Sequence, residues 1–280
     1  MPEVTVPRAP LEANSPFELR LNQGAHVPEG DVRAAVASGD VGFLHSFTTG
    51  ATVDGPGVRV VAWTAGCMWR CRYCHNPDTW SMGNGIPVPV ARAVEELRKY
   101  KHGLKVMSGG FTLSGGEPLM QHRFAAKLFA AAREMGIHTA LDTNGYLGER
   151  LSDAELETIS LVLLDLKTWD ARRHRALTGM DNQPTLDFAR RLAARQRPVW
   201  LRYVLVPGLT DDPDDLAQTA DFAARLGNVE RVDVLPFHQM GRYKWQKLKI
   251  EYTLDGVEPP TIEAVERACA IFRGAGLKTH

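Results

Sequence analysis

The sequence lacks the means to enter a membrane, to grip nucleic acid or to form a disulfide framework. No apolar run is long enough to span a bilayer, and the opening "MPEVTVPRAPLEANSPFELR" has no apolar signal-peptide core. Neither charge is in excess: Lys plus Arg and Asp plus Glu each number 33. Without a basic field, binding through phosphates is not expected. Nucleic acid and membrane are therefore both excluded as expected partners. Cysteine is scarce, four in 280 residues with three of them clustered. Such usage points to a reducing compartment, here the cytoplasm, and to a metal or redox site. Residues 1–40 lack apolar periodicity and are broken by Pro2, Pro7, Pro10, Pro16 and Pro28. A loosely ordered extension is expected there, with a short helix at "DVRAAVAS", ahead of one core domain over residues 41–280.

Beyond the extension, strand and helix patterns alternate. "VRVVAWTAG", "FTLSGGE", "HTALDTNG", "LVLLDLK", "PVWLRYVLVPG" and "VERVDVLPFH" read as strands. The near-continuous apolar run of "LVLLDLK" fits a parallel strand covered on both faces. Helical periodicity marks the stretches between, and Ser152 with Glu155 has capping-box spacing. Six such repeats fall short of the eight of a closed barrel, so the expected fold is α/β, an incomplete TIM-type (β/α)6 partial barrel. Polar and glycine signals sit where strands end: Gly115, Gly116 and Glu117; Asp142, Thr143 and Asn144; Asp165, Leu166 and Lys167; His238. In parallel α/β folds the carboxyl ends of the strands are where ligands bind.

The three clustered cysteines, Cys67, Cys71 and Cys74, follow the first of these strands in C-x3-C-x2-C spacing. Zinc could take them with His75 or His238 as a fourth ligand. A [4Fe–4S] cube could take one thiolate on each of three irons, leaving the fourth iron open. An open iron can chelate an amine and a carboxylate, which is the amino-acid end of S-adenosyl-L-methionine. Gly115 and Gly116 would let backbone approach the methionine amine, and Glu117 stands beside them as its carboxylate. Lys167 and His238 could bind the carboxylate or ribose, while the backbone of Tyr73, Cys74 and His75 would pass the adenine. Zinc explains the cysteines alone and leaves the glycines and strand-end polar groups as coincidence.

With an aromatic before the last cysteine and the "SGGEP" strand end, the chain resembles the radical S-adenosylmethionine enzymes. More closely, it is similar to the pyruvate formate-lyase activating enzymes. "HSFTTGATVDGPGVRVV", "GCMWRCRYCHNPDTW", "LSGGEPLMQ", "HTALDTNGY", "LVLLDLK", "WLRYVLVPGLTDD" and "VLPFHQMGRYKW" carry the likeness, from about residue 44 onward. The resemblance implies that Cys67, Cys71 and Cys74 ligate the cluster. It implies that Tyr73 to His75, Gly116, Asp165 to Lys167 and His238 contact S-adenosylmethionine. Asp142, Thr143 and Asp165 would hold a monovalent cation, and Asp54 would lie near the substrate peptide at the barrel mouth. The implied activity is reductive cleavage of S-adenosylmethionine and removal of a hydrogen atom from a glycine of pyruvate formate-lyase (formate C-acetyltransferase). No side-chain acid or base is required, because a hydrogen atom moves and not a proton. Thiols for one cluster only mean that the electron comes from outside, by resemblance from a flavodoxin or ferredoxin.

The alternatives are a radical enzyme for another glycyl-radical partner or a small molecule, and a zinc-stabilised binding module. Cys269, in step with Ile262, Val265 and Phe272, reads as a core residue of the last helix. The run Arg242, Tyr243, Lys244, Trp245, Lys247, Lys249 fits either a solvated face or a docking surface for a protein substrate.

Overall fold

A computed structural model describes residues 32–280. The part of the expected extension up to residue 31 lies outside the described residues. The helix expected at "DVRAAVAS" is α1 (Val32–Ser38), which packs against β1 (Val41–Ala51) and α3 (His122–Glu134). Arg123 Nη1 donates to the Ala37 carbonyl at 2.5 Å, and Lys127 pairs with Asp40.

Six strands run parallel, in sequence order along the sheet: β2 (Arg59–Thr64), β4 (Gly110–Gly115), β5 (His138–Thr143), β6 (Leu161–Asp165), β7 (Val199–Leu205) and β8 (Val229–Pro236). These are the six strands legible in the sequence. Two more extend one edge: β1 pairs antiparallel with β2, and β3 (Ile86–Pro89) pairs antiparallel with β1. The sheet order β3-β1-β2-β4-β5-β6-β7-β8 leaves β3 and β8 as opposite ends, so the barrel stays open.

Burial explains the strands. Leu161, Val162, Leu163 and Leu164 of β6 are all buried, as a strand covered on both faces requires. In β7 the pattern alternates: Val199, Leu201, Tyr203 and Leu205 pack into the core while Arg202 and Val204 face the barrel interior. Helices α2 (Val90–Val106), α3, α6 (Gln183–Ala194), α7 (Pro213–Leu226) and α9 (Ile262–Gly274) connect or follow the strands. Phe124, Leu128 and Ala132 of α3 are buried together. Two short helices, α4 (Asp153–Leu156) and α5 (Ala171–Thr178), complete the connections, and Ser152 with Glu155 makes the predicted capping box on α4. Cys269 is buried on α9 beside Phe272.

The β1–β2 hairpin corrects the placement of Asp54. Because β1 runs antiparallel to β2, residues 52–58 turn at the amino end of the parallel strands, opposite the mouth. Gly57 lies against Ser108 just before β4, so close that a Cβ would collide with its carbonyl oxygen. From this floor the loop rises into the barrel, where Thr112 Oγ1 donates to the Asp54 carbonyl at 2.6 Å. The Asp54 carboxylate ends 3.7 Å from Arg202, buried beneath the cavity and not on its rim.

Candidate active site

The carboxyl ends of the parallel strands and the cysteine loop enclose a cavity of about 270 Å³. The loop, residues 65–80, closes on itself: Gly66 N donates to the Thr79 carbonyl and Cys67 N to the Trp80 carbonyl. Arg70 N and Arg72 N donate to the carbonyls of Thr178 and Leu177, pinning the loop to the end of α5. Glu117 N donates to the Gly66 carbonyl at 2.7 Å, tying its start to the end of β4. These bonds aim Cys67, Cys71 and Cys74 into one wall of the cavity.

Of the other residues singled out by sequence, Tyr73, His75, Gly115, Gly116, Asp142, Asp165, Lys167 and His238 also line it. His75 and His238 meet edge to face with ring centroids 5.0 Å apart. Burial, then the neighbouring His238 and Lys244, lowers the His75 pKa. Lys167 Nζ lies 2.9 Å from Asp165 and 5.4 Å from the Tyr73 ring centroid. Burial alone would lower the Lys167 pKa, but Asp165, Tyr73 and Cys71 hold it above the ordinary value. Lys167 therefore stays an ammonium at neutral pH.

Four expected residues do not reach the cavity. Glu117 is fully buried, with Oε1 accepting from Leu119 N and Thr143 Oγ1, and Oε2 from Asn144 N. It braces the strand ends to each other and is not among the residues lining the cavity. Burial pushes its pKa up to about 7, against those three hydrogen bonds. The Thr143 hydroxyl is spent on Glu117, so Asp142 and Asp165 are the only side chains of the expected cation set at the cavity. Leu166 is buried in the wall behind it, and Asp54 lies beneath it.

The glycines also have a packing role of their own. A Cβ on Gly116 would strike the Gly66 carbonyl oxygen, and one on Gly115 would strike the backbone of Thr64. Gly115 lets β4 close against the end of β2, and Gly116 lets it close against the cysteine loop. Gly115 in addition adopts φ +123, a conformation L side chains rarely take.

Arg202 is a charged lining residue that the sequence reading passed over. Its Nη1 donates to Asp142 Oδ2 at 3.0 Å, an oxygen that also accepts from Ser114 Oγ at 2.6 Å. The available signal was a lone charge on the interior face of an otherwise apolar strand.

The thiols fit an iron–sulfur cube. Burial pushes the Cys71 pKa up to about 12 despite the pull of Lys167, and raises those of Cys67 and Cys74 as well. Buried thiols in this state become thiolates when metal cations draw off the protons. Among the described residues, no three His, Cys, Asp or Glu side chains are grouped to hold a single metal ion. A cube spreads its three thiolates over three irons.

The signature of the radical SAM superfamily matches residues 61–223. The chain is 43% identical over 240 residues to pyruvate formate-lyase 1-activating enzyme of Escherichia coli K12, covering 85% of this chain and 98% of that one. It is 45% identical over 234 residues to pyruvate formate-lyase-activating enzyme of Staphylococcus aureus USA300, covering 81% and 93%. Among solved structures it is similar to a domain of pyruvate-formate lyase-activating enzyme from Bacteroides vulgatus, with TM-score 0.51 and 26% identity over 61% of this chain and 98% of that one.

Proposed function

Because the chain belongs to the radical SAM superfamily, among the pyruvate formate-lyase activating enzymes, we infer that it activates pyruvate formate-lyase by generating a glycyl radical in it. When bound, the [4Fe–4S] cluster and S-adenosylmethionine together supply a 5′-deoxyadenosyl radical, which takes a hydrogen atom from the substrate glycine. The chain's own residues bind, orient and exclude water.

Cys67, Cys71 and Cys74 would hold the cluster on the loop wall. The Lys167 ammonium, kept charged by Asp165, offers the methionine carboxylate a cation inside a shielded site. His75 and His238 form the rim that the adenosine end meets. Asp142 and Asp165 are the side chains available to a monovalent cation. Tyr73, Trp80 and Phe237 supply apolar wall that keeps water from the radical. Beneath the cavity, Asp54 positions Arg202 for the incoming peptide.

The observation that carries this reading is the convergence of three half-buried thiols and two carboxylate–cation pairs on one cavity. A flavodoxin or ferredoxin serves as electron donor, since the remaining cysteine is buried on α9. Among the described residues no helix is long and apolar enough to cross a membrane, and the reading places the enzyme in the reducing cytoplasm. The core over residues 41–280 carries all of this chemistry, with residues 1–40 as an appended segment. Anaerobic incubation with S-adenosylmethionine, a reductant and pyruvate formate-lyase should give the paramagnetic resonance doublet of a glycyl radical. Cleavage of S-adenosylmethionine without any such radical would refute the assignment of substrate.

A further inference from the structure

After β8 the chain passes over the cysteine loop as residues 237–249, which include the short helix α8 (Arg242–Lys247). Several of its residues turn inward. Gly241 sits on the His75 backbone so closely that a Cβ would collide with it. Trp245 is buried; its Nε1 donates to the Cys74 carbonyl at 2.9 Å, and its ring meets Trp80 edge to face at 5.0 Å. Lys244 Nζ donates to Asn76 Oδ1 at 2.8 Å and pairs with Asp78 at 3.0 Å, a carboxylate that also meets His45 Nε2 at 3.0 Å. Arg242 pairs with Asp255. The basic aromatic run is therefore neither a uniformly solvated face nor a uniform docking face, because its middle grips the cluster-bearing loop.

What remains outward is mixed: His238, Gln246, Lys247 and Lys249 are exposed and polar, and Met240 and Tyr243 are the exposed large hydrophobic residues among them. Met240 and Tyr243 are 65% and 61% exposed. The other large hydrophobic side chains exposed among the described residues are Val53, in the floor loop, Val106 and Met107, at the end of α2, and Ile262, at the start of α9. Met240 and Tyr243 alone sit on a segment in contact with the mouth. Met240 is two residues beyond His238 and its N–H points to His238 Nδ1 at 3.4 Å. Tyr243 adjoins Lys244, the partner of Asn76, and both His238 and Asn76 line the cavity.

We propose that Met240 and Tyr243 form a preorganised docking step for the folded protein substrate, beside the mouth through which its glycine enters. This rests on the reading of the chain as an activator of another protein. A glycine carried on a protein reaches the cavity only if the surface around it covers the rim, and these two side chains lie on the segment next to the lining residues His238 and Asn76. Tyr and Met are enriched in the cores of protein interfaces. Because α8 is anchored below by Trp245 and Lys244, little ordering is left for the moment of binding. The fitting partner is a folded protein with an apolar patch next to an extrudable glycine loop.

The test uses the full chain, anaerobically reconstituted, with the double variant Met240→Ser/Tyr243→Ser and with Tyr243→Phe. Three readouts are taken: KM for intact pyruvate formate-lyase, KM for a short peptide spanning its glycine, and 5′-deoxyadenosine formed without partner. The double variant should raise KM for the intact protein by about tenfold. Its other two readouts should stay within about twofold, and Tyr243→Phe should stay near wild type in all three. An unchanged KM for the intact protein would overturn the proposal, as would equal shifts for protein and peptide. A wild-type enzyme that radicalises no protein at all would instead overturn the functional reading, and the docking step with it.

Discussion

The two ends of the parallel sheet both bury charge, and they handle it in opposite ways. At the floor, Arg59 is fully buried, and its donors are taken up by the chain itself. Its Nη2 donates to the Phe111 carbonyl at 2.6 Å, Nε to Thr112 Oγ1 at 2.9 Å, and Nη1 to the Pro56 carbonyl at 3.3 Å. Burial lowers its pKa to about 10, which still leaves it charged. At the mouth, charges come as pairs on the wall of an open space: Asp165 with Lys167, Asp142 with Arg202. Three thiols share that wall. A buried charge bonded wholly to its own chain holds the fold, whereas one facing open volume keeps capacity for a ligand. By that measure Glu117 belongs with the floor although it stands at the mouth.

The sharpest way to break this comparison is at the thiols. Cys67→Ala, Cys71→Ala or Cys74→Ala should abolish S-adenosylmethionine cleavage and deplete iron, while Cys269→Ala keeps both. Iron analysis and 5′-deoxyadenosine assay decide it; a Cys71→Ala protein with full iron and activity would remove the mouth's special status. Next comes the floor. Arg59→Met leaves three carbonyls, of Phe111, Pro56 and His138, and a hydroxyl short of a donor and should cost about 2–4 kcal/mol in denaturant unfolding. His138 contacts Arg59 at 3.2 Å, and burial, then that cation, lowers its pKa to about 4. Its neutral form is the one the fold favours, so stability declines as pH falls from about 6.5 toward 4. Arg59→Met should narrow this window, read as an upward shift of the His138 titration by NMR.

A subtler effect links floor to mouth. Asp54→Ala removes the carboxylate beneath Arg202 and should slow glycyl-radical formation about tenfold, with uncoupled S-adenosylmethionine cleavage changed by less than about threefold. Equal losses in both would make Asp54 a residue of the fold alone. Smaller still is the pH signature of Glu117. Its pKa is raised from 4.5 to about 7, so the folded state binds the extra proton and stability declines as pH rises across that interval. Glu117→Gln should flatten that slope in unfolding midpoints taken at several pH values; an unchanged slope would assign it to another group. The smallest effect is expected from removing residues 1–31. The lining residues described above all lie within residues 32–280, so iron content and S-adenosylmethionine cleavage should match the full chain.

The sequence made the six parallel strands and the cysteine-bearing wall readable, because apolar runs and cysteine spacing are local signals. The edge pair β1 and β3 left no such trace. β1 is rich in Gly, Ser and Thr, and β3 is "IPVP", whose prolines a strand tolerates at an edge. Missing β1 had a consequence for the site: without the reversal it imposes, the loop carrying Asp54 was expected at the mouth when it rises from the floor. Glu117 was misread for a different reason. Its type and position suit a ligand, but only the positions of Leu119, Thr143 and Asn144 reveal that its oxygens are already bonded. Arg202 shows the converse, a charge within an apolar strand whose role appears only once its neighbours on β5 are in place.

Low-temperature paramagnetic resonance of the reduced, anaerobically reconstituted protein tests the open mouth most directly. Three cysteine ligands would leave one iron free for the amino-acid end of S-adenosylmethionine, so adding it should change the cluster signal. The same addition should leave the signal unchanged in a Lys167→Met variant at concentrations that saturate wild type. A wild-type signal indifferent to saturating S-adenosylmethionine would contradict the account.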